Sequence, residues 1–250
     1  MNCKNILIIT ATIEPLIDAP NLSRVDVSER MGDYKKALLF YVHCLEVGVI
    51  NKIVFVDNSN YDLNFLKKII SESNSNKDVE FISYFGLDYP SGYGRGYGEF
   101  KLIEYAMMNS SFINAASNFD NIWKVTGRYI VKNLNSLVDR RPMVDIYCNC
   151  RNYPIQWLDL YILSWSKGVY FKVLSDVYLN LREDNVNHSS EVIFRNFIDS
   201  LGGEIKIYKR FLVEPKIEGV RGLDNKKYEN MKVKYLIRSC MRFFFPNFWA

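Results

Sequence analysis

A chain of 250 residues with 48% hydrophobic and 24% charged side chains can bury a real core and has the balance of an ordinary globular protein. The formal charge of +4 is uneven: from Lys226 to Ala250 six basic residues face one acid, Glu229, so the body is close to neutral, which disfavours a protein that coats nucleic acid. No stretch approaches the roughly 20 apolar residues that cross a bilayer, and the apolar run Ile6–Thr10 is too short for a secretory signal, so the expected location is cytoplasmic.

In chain order, Asn5–Thr10 reads as a buried strand and Glu14–Gly32, lacking apolar periodicity, as a long loop. Long loops often act as lids, and its Arg24 and Arg30 either close on phosphates or are simply solvated. Tyr34, Ala37, Leu38, Tyr41, Val42 and Leu45 recur at helical spacing, and Gly48 closes that helix. Lys52–Val56 is a second strand, followed by a turn at Asp57-Asn58-Ser59-Asn60, a helix carrying Leu63, Leu66, Ile69 and Ile70, and a third strand at Val79–Tyr84. A glycine-rich loop, Tyr93–Glu99, leads into a helix with Leu102, Ile103, Ala106 and Met107. Strands at Ile122–Thr126 and Val144–Asn149 then flank a short helix near Val131–Val138. The second half holds an apolar run at Leu158–Trp165, helices at Lys167–Leu181 and Ser190–Leu201, a strand at Glu204–Phe211 and a loop at Glu214–Asp224. Alternating strands and helices predict an α/β fold with a mainly parallel sheet flanked by helices, residues 1–225 forming one body.

Residues 226–250 form a separate basic, amphipathic segment. Val233, Leu236, Ile237, Cys240, Met241, Phe244 and Phe245 define one helical face and Lys234, Arg238 and Arg242 a basic row, with Pro246 as the stop and Phe248 and Trp249 beyond it. Such a helix suits an anionic membrane surface, and equally packs against its own domain.

The Tyr93-Gly94-Arg95-Gly96-Tyr97-Gly98-Glu99 stretch precedes a helix, where glycines let the backbone approach a ligand and free amides favour an anion; a tight surface loop has the same composition. Asp57 ends a parallel strand on the edge where open α/β sheets bind ligands, or shapes the turn that follows. Five cysteines show no zinc-ligand spacing, and Cys148 and Cys150 lie in an apolar run, which reads as buried thiols in a reducing compartment. His43 sits within a helix, and with only His188 besides it a histidine metal centre is not expected.

The order of Thr10-Ala11-Thr12 and Asp57-Asn58-Ser59 at strand ends, the glycine stretch, and then Lys124-Val125-Thr126-Gly127-Arg128-Tyr129 resembles the nucleotide-sugar-binding half of GT-A glycosyltransferases. The two motifs are similar to those of small bacterial enzymes that build O-antigen or capsule. The resemblance implies a GT-A-like, Rossmann-like sheet, a nucleotide-sugar donor, a lipid-linked or oligosaccharide acceptor and association with the inner face of the membrane. On that footing Thr10 and Asp57 contact the nucleotide, Arg95, Lys124 and Arg128 the diphosphate, and Glu99 the sugar. Glu191, or failing that Asp159, acts as the base, though an acid in a first helical turn also serves the helix dipole. The family's metal-binding Asp-x-Asp is missing; Lys124 and Arg128 occupy its place, so a metal-independent reaction without cofactors is expected. Two rivals stand beside it: a non-catalytic nucleic-acid or membrane-surface binder, and a nucleotidyltransferase, which commonly needs carboxylate-bound magnesium.

Overall fold

The computed structural model describes residues 3–16, 22–71, 73, 75–184, 188–222, 224–228 and 232–245. The elements run β1 (Asn5–Ala11), α1 (Val27–Glu46), β2 (Lys52–Asp57), α2 (Asn64–Ser71), β3 (Val79–Ser83), α3 (Gly94–Asn109), α4 (Ser111–Asn114), β4 (Asn121–Thr126), β5 (Ile130–Val131) and α5 (Leu134–Asp139). They continue with β6 (Ile146–Tyr147), β7 (Cys150–Arg151), β8 (Trp157–Leu158), β9 (Ile162–Ser166), α6 (Lys167–Val169), α7 (Ser190–Ser200), β10 (Ile207–Tyr208), β11 (Ile217–Glu218) and α8 (Lys232–Phe244).

Seven strands form one sheet in the order β10-β6-β9-β4-β1-β2-β3. β3, β2, β1 and β4 are mutually parallel, β10 is parallel to β6, and β9 runs antiparallel between β4 and β6. β1 shows why its sequence is a continuous apolar run: Leu7 and Ile9 pack on one face with Tyr34, Leu38 and Tyr41 of α1, while Ile6 and Ile8 pack on the other with Phe100 and Ile103 of α3. Two small antiparallel pairs, β5 with β11 and β7 with β8, stand outside the main sheet.

Several elements differ from their predicted form, each for a local reason. α1 starts at Val27, inside the expected loop, because Asp26 caps it by accepting from the Glu29 amide at 2.7 Å; residues 17–21 of that loop lie outside the described residues. Glycines 94, 96 and 98 belong to the first turns of α3 rather than to a loop. The expected helix over Lys167–Leu181 is broken at Ser175 and at Asp176, whose φ is 59°. Glu104 of α3 pins that break by accepting from the Tyr170 hydroxyl (2.6 Å), the Ser175 hydroxyl (2.9 Å) and the Asp176 amide (3.1 Å). The Val144–Asn149 strand shrinks to Ile146–Tyr147, since Asn149 turns away to accept through its carbonyl from the Asp159 amide at 3.0 Å. The Glu204–Phe211 strand likewise shrinks to Ile207–Tyr208, and Val131 joins β5 instead of opening a helix. Cys44, Cys148 and Cys150 are buried and unpaired, as thiols.

α8 forms as expected, and it packs on the body through its arginines while its apolar face points outward. Arg242 points inward, donating to the Phe211 carbonyl, to Glu214 Oε2 and, at 3.1 Å, to Asn149 Oδ1. Arg238 also faces Glu214, at 3.8 Å. Val233, Leu236, Ile237, Phe243 and Phe244 are exposed instead, Phe243 at 80%. The arginines of the basic row therefore engage the Glu214 carboxylate and the Phe211 carbonyl, contacts that apolar side chains at those positions could not make. Pro246, Phe248 and Trp249 lie outside the described residues, and among those described no helix is long and apolar enough to cross a membrane.

Candidate active site

A cavity of about 1020 Å³ opens at the C-terminal edge of the parallel strands, where ligands of such sheets bind. Thr10 closes β1, Thr126 closes β4, and α3 supplies Arg95 and Glu99 from its first turns. Arg128, Asp159 and Glu191 also line it, as does the inner face of α8 through Tyr235 and Arg238. Asp57 and Lys124 do not.

Glu99 is the hub. Its Oε1 accepts from the hydroxyls of Thr10 and Thr126, each at 2.8 Å, and pairs with the Lys124 ammonium at 2.6 Å. Oε2 has no partner among the described residues, and the side chain keeps 21% exposure toward the cavity. Burial opposes ionisation of Glu99, but the Lys124 ammonium and the hydroxyls override it and hold the carboxyl below its usual range. Lys124 itself is fully buried and also donates to Thr126 Oγ1 and the Leu160 carbonyl, so it fixes Glu99 from below and offers no charge to the cavity. Thr10 likewise turns its hydroxyl to Glu99. Asp57 lies behind the wall: its carboxylate accepts from the Ile13 amide (2.8 Å), the Ser59 amide (2.9 Å) and the Tyr61 amide (3.2 Å), the turn-shaping role that its sequence context also allowed.

Two cations are differently placed. Arg95 is exposed at the start of α3 and has no partner among the described residues. Arg128 donates at 3.1 Å to the Val220 carbonyl and has no carboxylate partner among them. Gly127 directs it there. A Cβ on Gly127 would stand 2.5 Å from the Thr10 carbonyl oxygen, so only glycine lets the chain turn so tightly off β4 beside β1. Arg128 lies over the Tyr129 ring, 5.8 Å from its centroid, and both Arg128 and Arg95 favour ionisation of that phenol, against the burial that opposes it. By contrast Arg24 is paired with Asp33 at 2.6 Å, and Arg30 is spent on the carbonyls of Thr12 and Arg24. These two hold the segment before α1 in shape.

The two candidate bases differ in the same way. Asp159 Oδ2 accepts from Asn149 Nδ2 (2.6 Å), Arg151 Nε (3.0 Å) and the Tyr161 hydroxyl (3.0 Å), a charge already compensated. Glu191, in the first turn of α7, has no hydrogen bond or ion pair among the described residues, and its charge reaches Lys124 beneath Glu99. A Cβ on Gly96 would meet Ser190 at 2.2 Å, so the glycine stretch acts as the seam that seats α7, and with it Glu191, against α3.

Sequence reasoning missed Asn58 and Glu183. Asn58 lines the cavity with its Oδ1 fixed by the Thr12 hydroxyl at 2.7 Å. Glu183 accepts from the Ser190 amide at 3.0 Å and hydroxyl at 2.7 Å, and packs where Gly94 lacks a side chain. Asn58 sits in the strand-end motif and was legible as a neighbour of Asp57; Glu183 carries no local signal. Among the described residues no group of three or more His, Cys, Asp or Glu side chains is placed to hold a metal ion.

No protein-family model and no curated protein matches the chain. Solved structures do. A protein assigned as a nucleotide-diphospho-sugar transferase from Desulfovibrio desulfuricans superposes with a TM-score of 0.50 at 10% identity, over 96% of this chain and 91% of that one. An active-site mutant of LgtC gives 0.51 at 11% identity, over 81% and 72%. 4-Diphosphocytidyl-2C-methyl-D-erythritol synthase gives 0.50 at 9% identity, over 95% and 99%. The chain thus has a GT-A-like fold, with a mainly parallel seven-stranded sheet flanked by helices.

Proposed function

We propose that the protein is a glycosyltransferase that moves a sugar from a nucleotide donor to a lipid-linked or growing surface glycan. The observation that carries this reading is the presence, in one cavity, of two guanidinium groups without carboxylate partners, Arg95 and Arg128, and two carboxylates with unengaged oxygens, Glu99 and Glu191. A cavity of about 1020 Å³ accommodates a donor together with the end of an acceptor. In the reaction the acceptor hydroxyl attacks the anomeric carbon and gives its proton to Glu191, while the bond from that carbon to the diphosphate oxygen breaks. Arg95 and Arg128 stabilise the charge that develops on the departing diphosphate, the task a divalent metal performs elsewhere, so turnover is metal-independent. Glu99 Oε2 accepts from a donor sugar hydroxyl.

The same reading puts α8 at a membrane. Its outward stripe, about 20 Å long for 13 residues, is too small to supply the roughly 800 Å² per partner of a stable dimer, whereas a lipid monolayer has no such threshold.

The test is release of nucleoside diphosphate from sugar nucleotides in the presence of EDTA. Glu191→Gln is expected to lower turnover by about 10²–10⁴-fold while leaving donor affinity intact. Release of pyrophosphate from nucleoside triphosphates would instead mean nucleotidyl transfer, and activity lost in EDTA and restored by manganese would refute metal independence.

A further inference from the structure

Glu214 is shared by three arginines. Arg151 Nη2 meets its Oε1 at 2.9 Å, Arg242 donates to its Oε2, and Arg238 Nη1 stands 3.8 Å from Oε1. The only other carboxylate in this cluster among the described residues is Asp159, 2.9 Å from Arg151 Nη2. Among the described residues these three guanidinium groups face two carboxylates, and Arg210 adds further positive charge beside Glu214 and Arg242. Arg151 and Arg242 are sealed in the protein, with side chains 2% and 9% exposed; Arg238, at 22%, is the member that lines the cavity. Among the described residues its only ion pair is a long one, to a carboxylate already engaged twice. Burial, aggravated by the neighbouring Arg151 charge, pulls Arg238 below the usual arginine range, as expected of a cation short of a counter-charge. Tyr235, three residues earlier on α8, lines the cavity from the same helix face, and its hydroxyl has no partner among the described residues.

We propose that the α8 end of the cavity is a second anion subsite, in which Arg238 and Tyr235 bind a phosphate group carried by the acceptor. A guanidinium fork suits a phosphate bidentately, and the ligand's charge would complement the positive charge that Arg238 brings to the cavity wall. The subsite uses residues other than the donor residues Arg95 and Arg128, and the assignment of its ligand to the acceptor rests on the transferase reading. The phosphate is either the linkage of a polyprenyl-type lipid or a phosphorylated sugar of the glycan.

Equilibrium titrations of the full chain, saturated with a nucleoside diphosphate at low salt, separate these sources by using farnesyl diphosphate and glucose 1-phosphate as probes. Arg238→Gln should weaken the probe that binds by about tenfold or more and change nucleoside diphosphate affinity by less than twofold, with Arg95→Gln doing the reverse. Binding of farnesyl diphosphate alone assigns the lipid linkage, and binding of glucose 1-phosphate the phosphosugar. Neither probe binding, or equal binding to wild type and Arg238→Gln, overturns the proposal. Should Arg238→Gln unfold, Arg238→Lys, which keeps the charge and loses the fork, must still weaken the probe. Wild-type protein that binds no nucleoside diphosphate would sink the transferase reading, while the same titrations without nucleotide would still decide the subsite.

Discussion

Replacing Lys124 by Met removes the cation on which the set of the whole site depends. The ammonium lies 2.6 Å from Glu99 Oε1, where the bare attraction is about 6 kcal/mol at an effective dielectric of about 20. Desolvation offsets much of that, and losing one partner of a buried pair typically costs about 3–5 kcal/mol. The lower end applies here, about 3 kcal/mol, because Glu99 retains partial exposure and the Thr10 and Thr126 hydroxyls. For a chain of this size that corresponds to a fall of about 6–12 °C in Tm. Thermal unfolding followed by circular dichroism measures it, and the Glu99→Gln/Lys124→Met double variant should recover a large part of the loss because no unpaired charge remains. The pH dependence has a definite sign. Glu99 is held below its unfolded value, so its contribution is present above about pH 4.3 and lost as pH falls through the folded value. In Lys124→Met the buried carboxylate is relieved on protonation, so the gap between wild type and variant must narrow on acidification. A variant within about 1 kcal/mol of wild type at pH 7, or a gap that widens in acid, refutes the reasoning.

Arg95→Gln and Arg128→Gln should each weaken nucleoside diphosphate binding by about 10–100-fold at low salt, with a shallower salt dependence; calorimetry showing less than a twofold change in both would remove the diphosphate site. Gly96→Ala should cost about 1–3 kcal/mol in urea denaturation, since its Cβ collides with Ser190 across the α3–α7 seam, and unchanged stability would refute a tightly packed seam. Phe243→Glu with Phe244→Glu should abolish co-sedimentation with anionic phospholipid vesicles and leave Tm nearly unchanged, because both rings are exposed; wild-type protein remaining in the supernatant would end the membrane proposal.

The parallel half of the sheet was legible because strands buried on both faces write themselves as apolar runs, and β1, β2 and β4 fall within a residue or so of their predicted bounds. The second half was not. Its elements are short and held by distant side chains, as where Glu104 breaks the helix at Ser175, and no periodicity announces a contact 71 residues away. Within the site, Arg95, Glu99, Arg128 and Glu191 were readable as strand-end and helix-start residues facing one edge. What a sequence could not tell is which charges are already spent: Lys124 and Arg128 are alike on paper, and only the placement of Glu99 separates them. The orientation of α8 stayed open for a related reason. An amphipathic pattern says that two faces differ, and leaves open which one the body claims when that body offers a carboxylate such as Glu214.

That orientation bears on how the protein is produced. Trimming a basic, aromatic tail is a common way to improve the handling of a recombinant protein, and here it would excise Arg238 and Arg242 together with the exposed rings. Glu214 would lose two of its three arginine partners among the described residues, and the cavity would lose one side. Shortened forms that stay in solution with a damaged cavity are the foreseeable result, and blunting the outer rings while sparing the inner arginines is the safer route.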